Sequence, residues 1–262
     1  MIINIEIILY SIVQGLTEFL PISSSAHLYF IEELFSWKSF GVLFALAAHL
    51  GTLLAVILHQ RKMITKIILV DCFKNRNYNL IKVIAISITP IMVFGFLLAT
   101  VLETHYSFNL LIIGSASVVG GLLLGFSDKK KTKNVKLINL KINKIIFIAF
   151  FQSLALIPGS SRSGTVITAM RFLGFNRKDS ISFSLLTGIP IILSATIYGI
   201  YTIIYFETIL VNTFFFITLF SFLSAYFSIK FILNWVNKFT LKIFVYYRVF
   251  FGLLLICYYF SY

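Results

Sequence analysis

The chain reads as an all-α polytopic membrane protein, and three observations predict it. Of 262 residues, 59% are hydrophobic and only 12% are charged, and the mean hydropathy of +0.97 is far on the apolar side. Six apolar runs reach the roughly 20 residues that a helix needs to cross a bilayer. The Lys and Arg residues collect in the short connections between those runs, as expected of loops on one membrane face.

The six spans lie near 40–58, 81–102, 108–126, 180–205, 211–233 and 242–262. Two further apolar regions, 3–35 and 143–173, are broken near their middles at "FLPISSSAH" and "LIPGSSRSG". Neither half of either region suffices for a span, so each predicts a re-entrant helical hairpin. The breaks resemble one another. Pro21 is followed by Ile22, Ser23, Ser24 and Ser25, and Pro158 by Gly159, Ser160, Ser161, Arg162 and Ser163. Gln14 and Gln152 precede the two prolines by seven and six residues.

Each hairpin leads into three spans, so the chain predicts a single membrane domain, 1–262, made of two repeats. Repeat 1 covers 1–126, a basic cytoplasmic linker 127–142, and repeat 2 covers 143–262. An odd number of crossings per repeat inverts the second relative to the first, the plan of many transporters. The charges agree. Of the 22 Lys and Arg, all but Lys38, Arg162 and Arg248 fall after residue 58, in 127–144, in 171–180 or in 230–242. With those segments cytoplasmic, both termini and the first hairpin's entry are external, and the polar tips of the hairpins meet.

Other readings are excluded on the same grounds. A net charge of +13 suits nucleic acid, but these basic residues are loop residues with no binding fold around them. Cys72 and Cys257, in a basic loop and the last span, predict neither a disulfide nor a metal site. The N-terminal "MIINIEIILYSIVQG" lacks the basic start and cleavage site of a signal peptide.

The tips carry the chemistry. Helices restarting after Pro21 and Pro158 present free N–H groups that bind phosphate, and Gly159 and Gly164 permit close approach of a ligand. Arg162, a charge at membrane depth, supplies a planar fork for phosphate oxygens. Glu18 suits a divalent cation, Mg²⁺ or Ca²⁺, shared with substrate phosphates. Ser24 and His27 add a nucleophilic hydroxyl and a proton-transfer group. Together they predict phosphoryl transfer within the membrane. Ser23 and Ser25 read as helix caps, His49 equally as packing or as support for the site, and Arg248 as structural. The "DKKK" run reads as a topology signal touching anionic lipid heads. His59, His105, Asp71, Asp128, Asp179 and Glu207 read as loop or interface residues.

"QGLTEFLPISSSAHL" and "PGSSRSG" resemble the two signature motifs of the undecaprenyl-pyrophosphate phosphatase (bacitracin-resistance) family. "HLGTLLAV", "FSLLTGIP" and "YRVFFG" extend the likeness along essentially the whole chain. The resemblance implies removal of the terminal phosphate of a C55 polyprenyl diphosphate in the bacterial plasma membrane, recycling the carrier lipid for peptidoglycan and conferring bacitracin resistance. It implies Glu18, Ser24, His27 and Arg162 as catalytic residues, with Ser23, Ser25, Gly159, Ser160, Ser161, Ser163 and Gly164 binding substrate. Glu18 and Gln14 would hold the cation, Gln14 standing where some members have glutamate. Two chemical alternatives stay open: attack by Ser24 with His27 as base, or attack by His27 itself. A polyprenyl-phosphate flippase is the alternative function, since broken-helix repeats are transporter architecture. Besides membrane lipids, a homodimer is the one further partner this reading allows.

Overall fold

The computed structural model describes residues 5–35, 37, 41–67, 79–101, 109–133, 135–206 and 211–261. All regular structure among them is helical. The first half comprises a short pair, α1 (Ile5–Glu18) and α2 (Ser24–Leu34), then α3 (Gly41–Lys66), α4 (Asn79–Val101) and α5 (Leu110–Asp128). The second half repeats the order: α6 (Ile142–Ser153) and α7 (Arg162–Phe172), then α8 (Arg177–Phe206), α9 (Val211–Trp235) and α10 (Lys242–Ser261). Short 3₁₀ turns occupy Leu137–Asn139 and Leu154–Leu156. Six of these helices are long and apolar enough to cross a membrane, and they are the six expected. This is a multi-pass membrane protein.

The outer surface is built for lipid. Phe96, Phe150, Phe227 and Phe250 are each at least 60% exposed, which is stable only where hydrocarbon replaces water.

Packing crosses between the halves. α5 lies along α10, α3 along α9 and α8, and α1 along α9, while α6 packs on α4. Small residues bring these helices together, as is common where no water drives association. A Cβ on Gly114 would lie 2.7 Å from the Gly252 carbonyl, and one on Gly252 would lie 2.7 Å from the Gly114 carbonyl. The α5–α10 crossing is therefore backbone against backbone.

Two expectations need correction. The first span does not end at residue 58: α3 continues to Lys66, because "ILHQRKMITK" contains no Gly or Pro to stop it. His59 is thus a helical residue, bonded through Nε2 to the Tyr226 carbonyl at 3.0 Å. Asp128 is not a loop residue either. It closes α5, is buried, and pairs with Arg177 at 2.7 Å and Arg171 at 3.3 Å. Its Oδ2 also accepts the Leu241 N–H at 3.1 Å. Only the fold returns two arginines to it. Asp179 lies in the first turn of α8, where its N–H bonds Asn176 Oδ1 at 2.8 Å. Lys38, Asp71, Cys72, His105 and Glu207 lie outside the described residues, whereas Cys257 is a free thiol on the outer surface.

Candidate active site

Each short helix pair turns at its proline-containing break, and the two turns share an unusual backbone. Ser23 takes φ 75°, ψ 98° and Ser161 takes φ 63°, ψ 110°. They are the non-glycine residues with positive φ among those described. Each stands at the N-cap of the helix that follows, α2 or α7. Each pairs its hydroxyl with that of the residue two further on: Ser23 with Ser25 at 3.2 Å, Ser161 with Ser163 at 3.1 Å. Only Ser161 caps through its side chain, accepting the Gly164 N–H at 3.1 Å; the expected capping by Ser23 is not made.

This equivalence sets the register of the two breaks. Ser23 to Ser161 is the same interval as Gln14 to Gln152 and as Gly114 to Gly252. From proline to N-cap serine the second turn is one residue longer, and it contains Gly159 at φ 91°. A Cβ there would meet the Ile113 carbonyl at 2.2 Å. In this register Ser24 and Arg162 occupy matching first positions of α2 and α7.

The tips touch. Ser163 Oγ donates to the Leu20 carbonyl at 2.8 Å. Arg162 Nη2 reaches Glu18 Oε1 at 3.1 Å, with both side chains about nine-tenths buried, and Arg162 Nη1 donates to the Ser184 carbonyl at 3.0 Å. The other carboxylate oxygen, Glu18 Oε2, accepts from Ser24 Oγ at 2.8 Å and from Gln14 Nε2 at 3.0 Å. Gln14 Nε2 also lies 3.2 Å from His49 Nδ1, so one amide nitrogen meets both the carboxylate and His49. Glu18 is thus the hub of an acid, a guanidinium and a hydroxyl contributed by both halves.

These groups border a cavity of about 760 Å³. Glu18, Ser23, Ser24, Ser25, His49, Ser161 and Arg162 form its polar end, and α4 (Ile91 to Ala99) and α8 (Ile191 to Tyr198) give it long apolar walls. A polar head with an apolar tail fits such a space.

Some predicted residues lie elsewhere. Ser160 and Gly164 face a second crevice behind the α7 tip, and Gly159 packs on α5. His27 is buried and turned towards α10. Its Nδ1 lies 2.6 Å from the Ser23 carbonyl and its Nε2 2.6 Å from Tyr247 Oη, while the ring stacks on Phe251 at 4.3 Å. A carbonyl can only accept, so the neutral ring donates from Nδ1 and receives the tyrosine hydroxyl at Nε2. The acceptor beside Ser24 is Glu18. Ser184, Gly188 and Tyr247 bear on the site without having been singled out. Their only sequence signal is membership of "FSLLTGIP" and "YRVFFG", stretches without a chemical pattern of their own.

A family model for the bacitracin resistance protein BacA matches residues 7–254. The chain belongs to the BacA family. Among curated BacA-like relatives, a protein of Pelagibacter ubique named undecaprenyl-diphosphatase is 39% identical over 257 residues, covering 96% of each chain. One of Saccharophagus degradans with the same name is 39% identical over 252 residues, covering 92% of this chain and 93% of its own. A third, from Chromohalobacter salexigens and likewise named, is 35% identical over 259 residues and covers 96% and 97%.

Proposed function

We propose that the protein hydrolyses undecaprenyl diphosphate to undecaprenyl phosphate and inorganic phosphate, returning the carrier lipid to envelope synthesis. The observation that carries this reading is Glu18 joined at once to Arg162 and Ser24 at the polar end of an apolar-walled cavity. The name shared by the relatives supports it, and bacitracin resistance follows from faster return of the lipid.

The prenyl chain lies between α4 and α8 with the diphosphate at the tips. Arg162, held flat by the Ser184 carbonyl, binds the phosphoryl oxygens, where preorganised charge supplies most of such catalysis. Ser24 Oγ attacks the terminal phosphorus, its proton passing to Glu18 Oε2, the acceptor it already meets. The bond to the bridging oxygen breaks and undecaprenyl phosphate leaves; water then attacks the phosphoserine and releases inorganic phosphate. His27, locked between Ser23 and Tyr247, holds the turn that carries Ser24. Direct attack by His27 requires that Tyr247 bond to open.

Oxygen donors suit a hard cation, and Glu18 with the Ser24 hydroxyl would hold Mg²⁺ or Ca²⁺. When bound, such an ion would offset charge on the diphosphate. Gln14 directs an amide donor at Glu18 and acts here as its support.

The two halves are inverted repeats in the bacterial plasma membrane, with basic loops inside and the cavity opening outward. The shared N-cap geometry and the matching α1–α9 and α6–α4 contacts support the repeat, and the gathering of Lys and Arg in one set of connections supports the orientation. The test is phosphate release from C55 and C15 prenyl diphosphates by detergent-purified protein, with and without EDTA. Release that EDTA abolishes, and that falls at least about a hundredfold in Arg162→Ala and Glu18→Gln, is expected. Folded protein that releases no phosphate with any metal, yet moves prenyl phosphate across vesicles, would make it a transporter instead.

A further inference from the structure

Arg248, in α10, is 1% exposed and has no carboxylate partner among the described residues. Its Nη2 donates to the carbonyls of Gly159 and Ser160 at 3.1 and 2.8 Å. Its Nε and Nη1 are buried and have no hydrogen-bond partner. A guanidinium keeps its charge at any ordinary pH, and an uncompensated charge at membrane depth is costly. The sequence reading of Arg248 as structural accounts for Nη2 alone.

The same side chain borders a second cavity. A crevice of about 540 Å³ lies between α5 and the α6–α7 pair, and Arg248 is part of its wall together with Gly120 and Gly164. Those glycines flank the guanidinium: a Cβ on Gly120 would lie 2.2 Å from Nη2, and one on Gly164 2.7 Å from Nη1. The rest of the wall is mainly apolar, and Ile112 and Val119 on it are 44% and 56% exposed. The crevice thus opens sideways towards lipid and not into the catalytic cavity.

We infer that this crevice is a second lipid site, taking one long-chain phosphate whose head pairs with Arg248 and whose chain lies along α5. An unpaired guanidinium N–H matches a phosphate oxygen, and an apolar lateral opening admits an anion only when it arrives on a hydrocarbon chain. Arg248 lies six residues into α10 from Lys242, about 9 Å by helical rise. A head group from the leaflet beside Lys242 reaches it with a modest dip. Because Arg248 also grips Gly159 and Ser160, the bound lipid adjoins the back of the tip whose front carries Ser161 and Arg162.

The experiment is native mass spectrometry of the full chain in detergent, titrated separately with C15 prenyl monophosphate, phosphatidylglycerol and inorganic phosphate. Arg162→Ala removes the catalytic anion clamp, so occupancy there reports the second site. One retained lipid is expected, with affinity at least tenfold lower when Ala116→Phe, which fills the crevice, or Arg248→Lys is added. Whichever lipid is retained identifies the source, reaction product or bilayer phospholipid. Ala116→Phe leaves Arg248 in place, so it carries the test if Arg248→Lys misfolds. If Arg162→Ala misfolds, the otherwise unmutated chain must lose one of two prenyl monophosphates on Ala116→Phe. Failure to retain any lipid, retention unaffected by Ala116→Phe, or inorganic phosphate binding as tightly as the lipids would overturn the inference.

Discussion

Arg162 is seated against Gly188: a Cβ on that glycine would lie 2.2 Å from Nη1 and 2.8 Å from the guanidinium carbon. The arginine that pairs with Glu18 across the two halves thus depends on a missing side chain in α8. Gly188→Ala must push the fork off the Ser184 carbonyl while leaving every charge in the protein. Misplacing a catalytic group by about 1 Å costs on the order of a hundredfold. Turnover of prenyl diphosphate by Gly188→Ala should fall by about that factor, with the unfolding temperature nearly unchanged. Wild-type turnover would remove Arg162 from the chemistry.

The strained serines make a differential prediction. A non-glycine residue at such a φ costs about 1–3 kcal/mol. Ser23 offsets this with no cap bond, whereas Ser161 caps Gly164, a cap whose replacement by glycine costs roughly a few tenths of a kcal/mol. Ser23→Gly should therefore raise the unfolding temperature in detergent more than Ser161→Gly does. The reverse order would mean that the Ser23–Ser25 hydroxyl pair is the stronger feature.

Tyr247→Phe separates the two roles open to His27. The stack on Phe251 survives the change, and only the hydroxyl on Nε2 is lost. If His27 holds the turn, the loss is one hydrogen bond, about 1 kcal/mol, and turnover drops no more than about tenfold. Turnover that rises instead would indicate that freeing Nε2 exposes a nucleophile.

Asp128→Asn should be the most destabilising of these changes. It leaves Arg171, 2% exposed, without its counter-ion and weakens the hold on Arg177. Removing one partner of a buried pair costs about 3–5 kcal/mol. Thermal unfolding should show a loss far larger than for Asp179→Asn, whose side chain is exposed. Equal effects would return Asp128 to the status of a surface charge.

Much of this was legible in sequence because membrane spans announce themselves by length and apolarity. The breaks after Pro21 and Pro158 stand out because polar runs interrupt apolar helix there, and Arg162 has no bland reason to sit at membrane depth. The orientation of His27 was not legible, since it depends on Tyr247, 220 positions away. The partners of Arg248 are not legible for the same reason: its bonds to the Gly159 and Ser160 carbonyls join positions 89 and 88 residues apart. The pairing of Asp128 with Arg171 and Arg177 is not legible either, because it joins positions 43 and 49 residues apart.

The exchange of partners between halves has a consequence for biosynthesis. α5 must wait for α10, α3 and α1 for α9, and α4 for α6, so the first half enters the bilayer ahead of nearly everything it packs against. Neither half is a folding unit, and the linker between them joins pieces already committed to one another. Co-expressed as two chains cut within that linker, they should still find each other, whereas either made alone should be cleared by quality-control proteases.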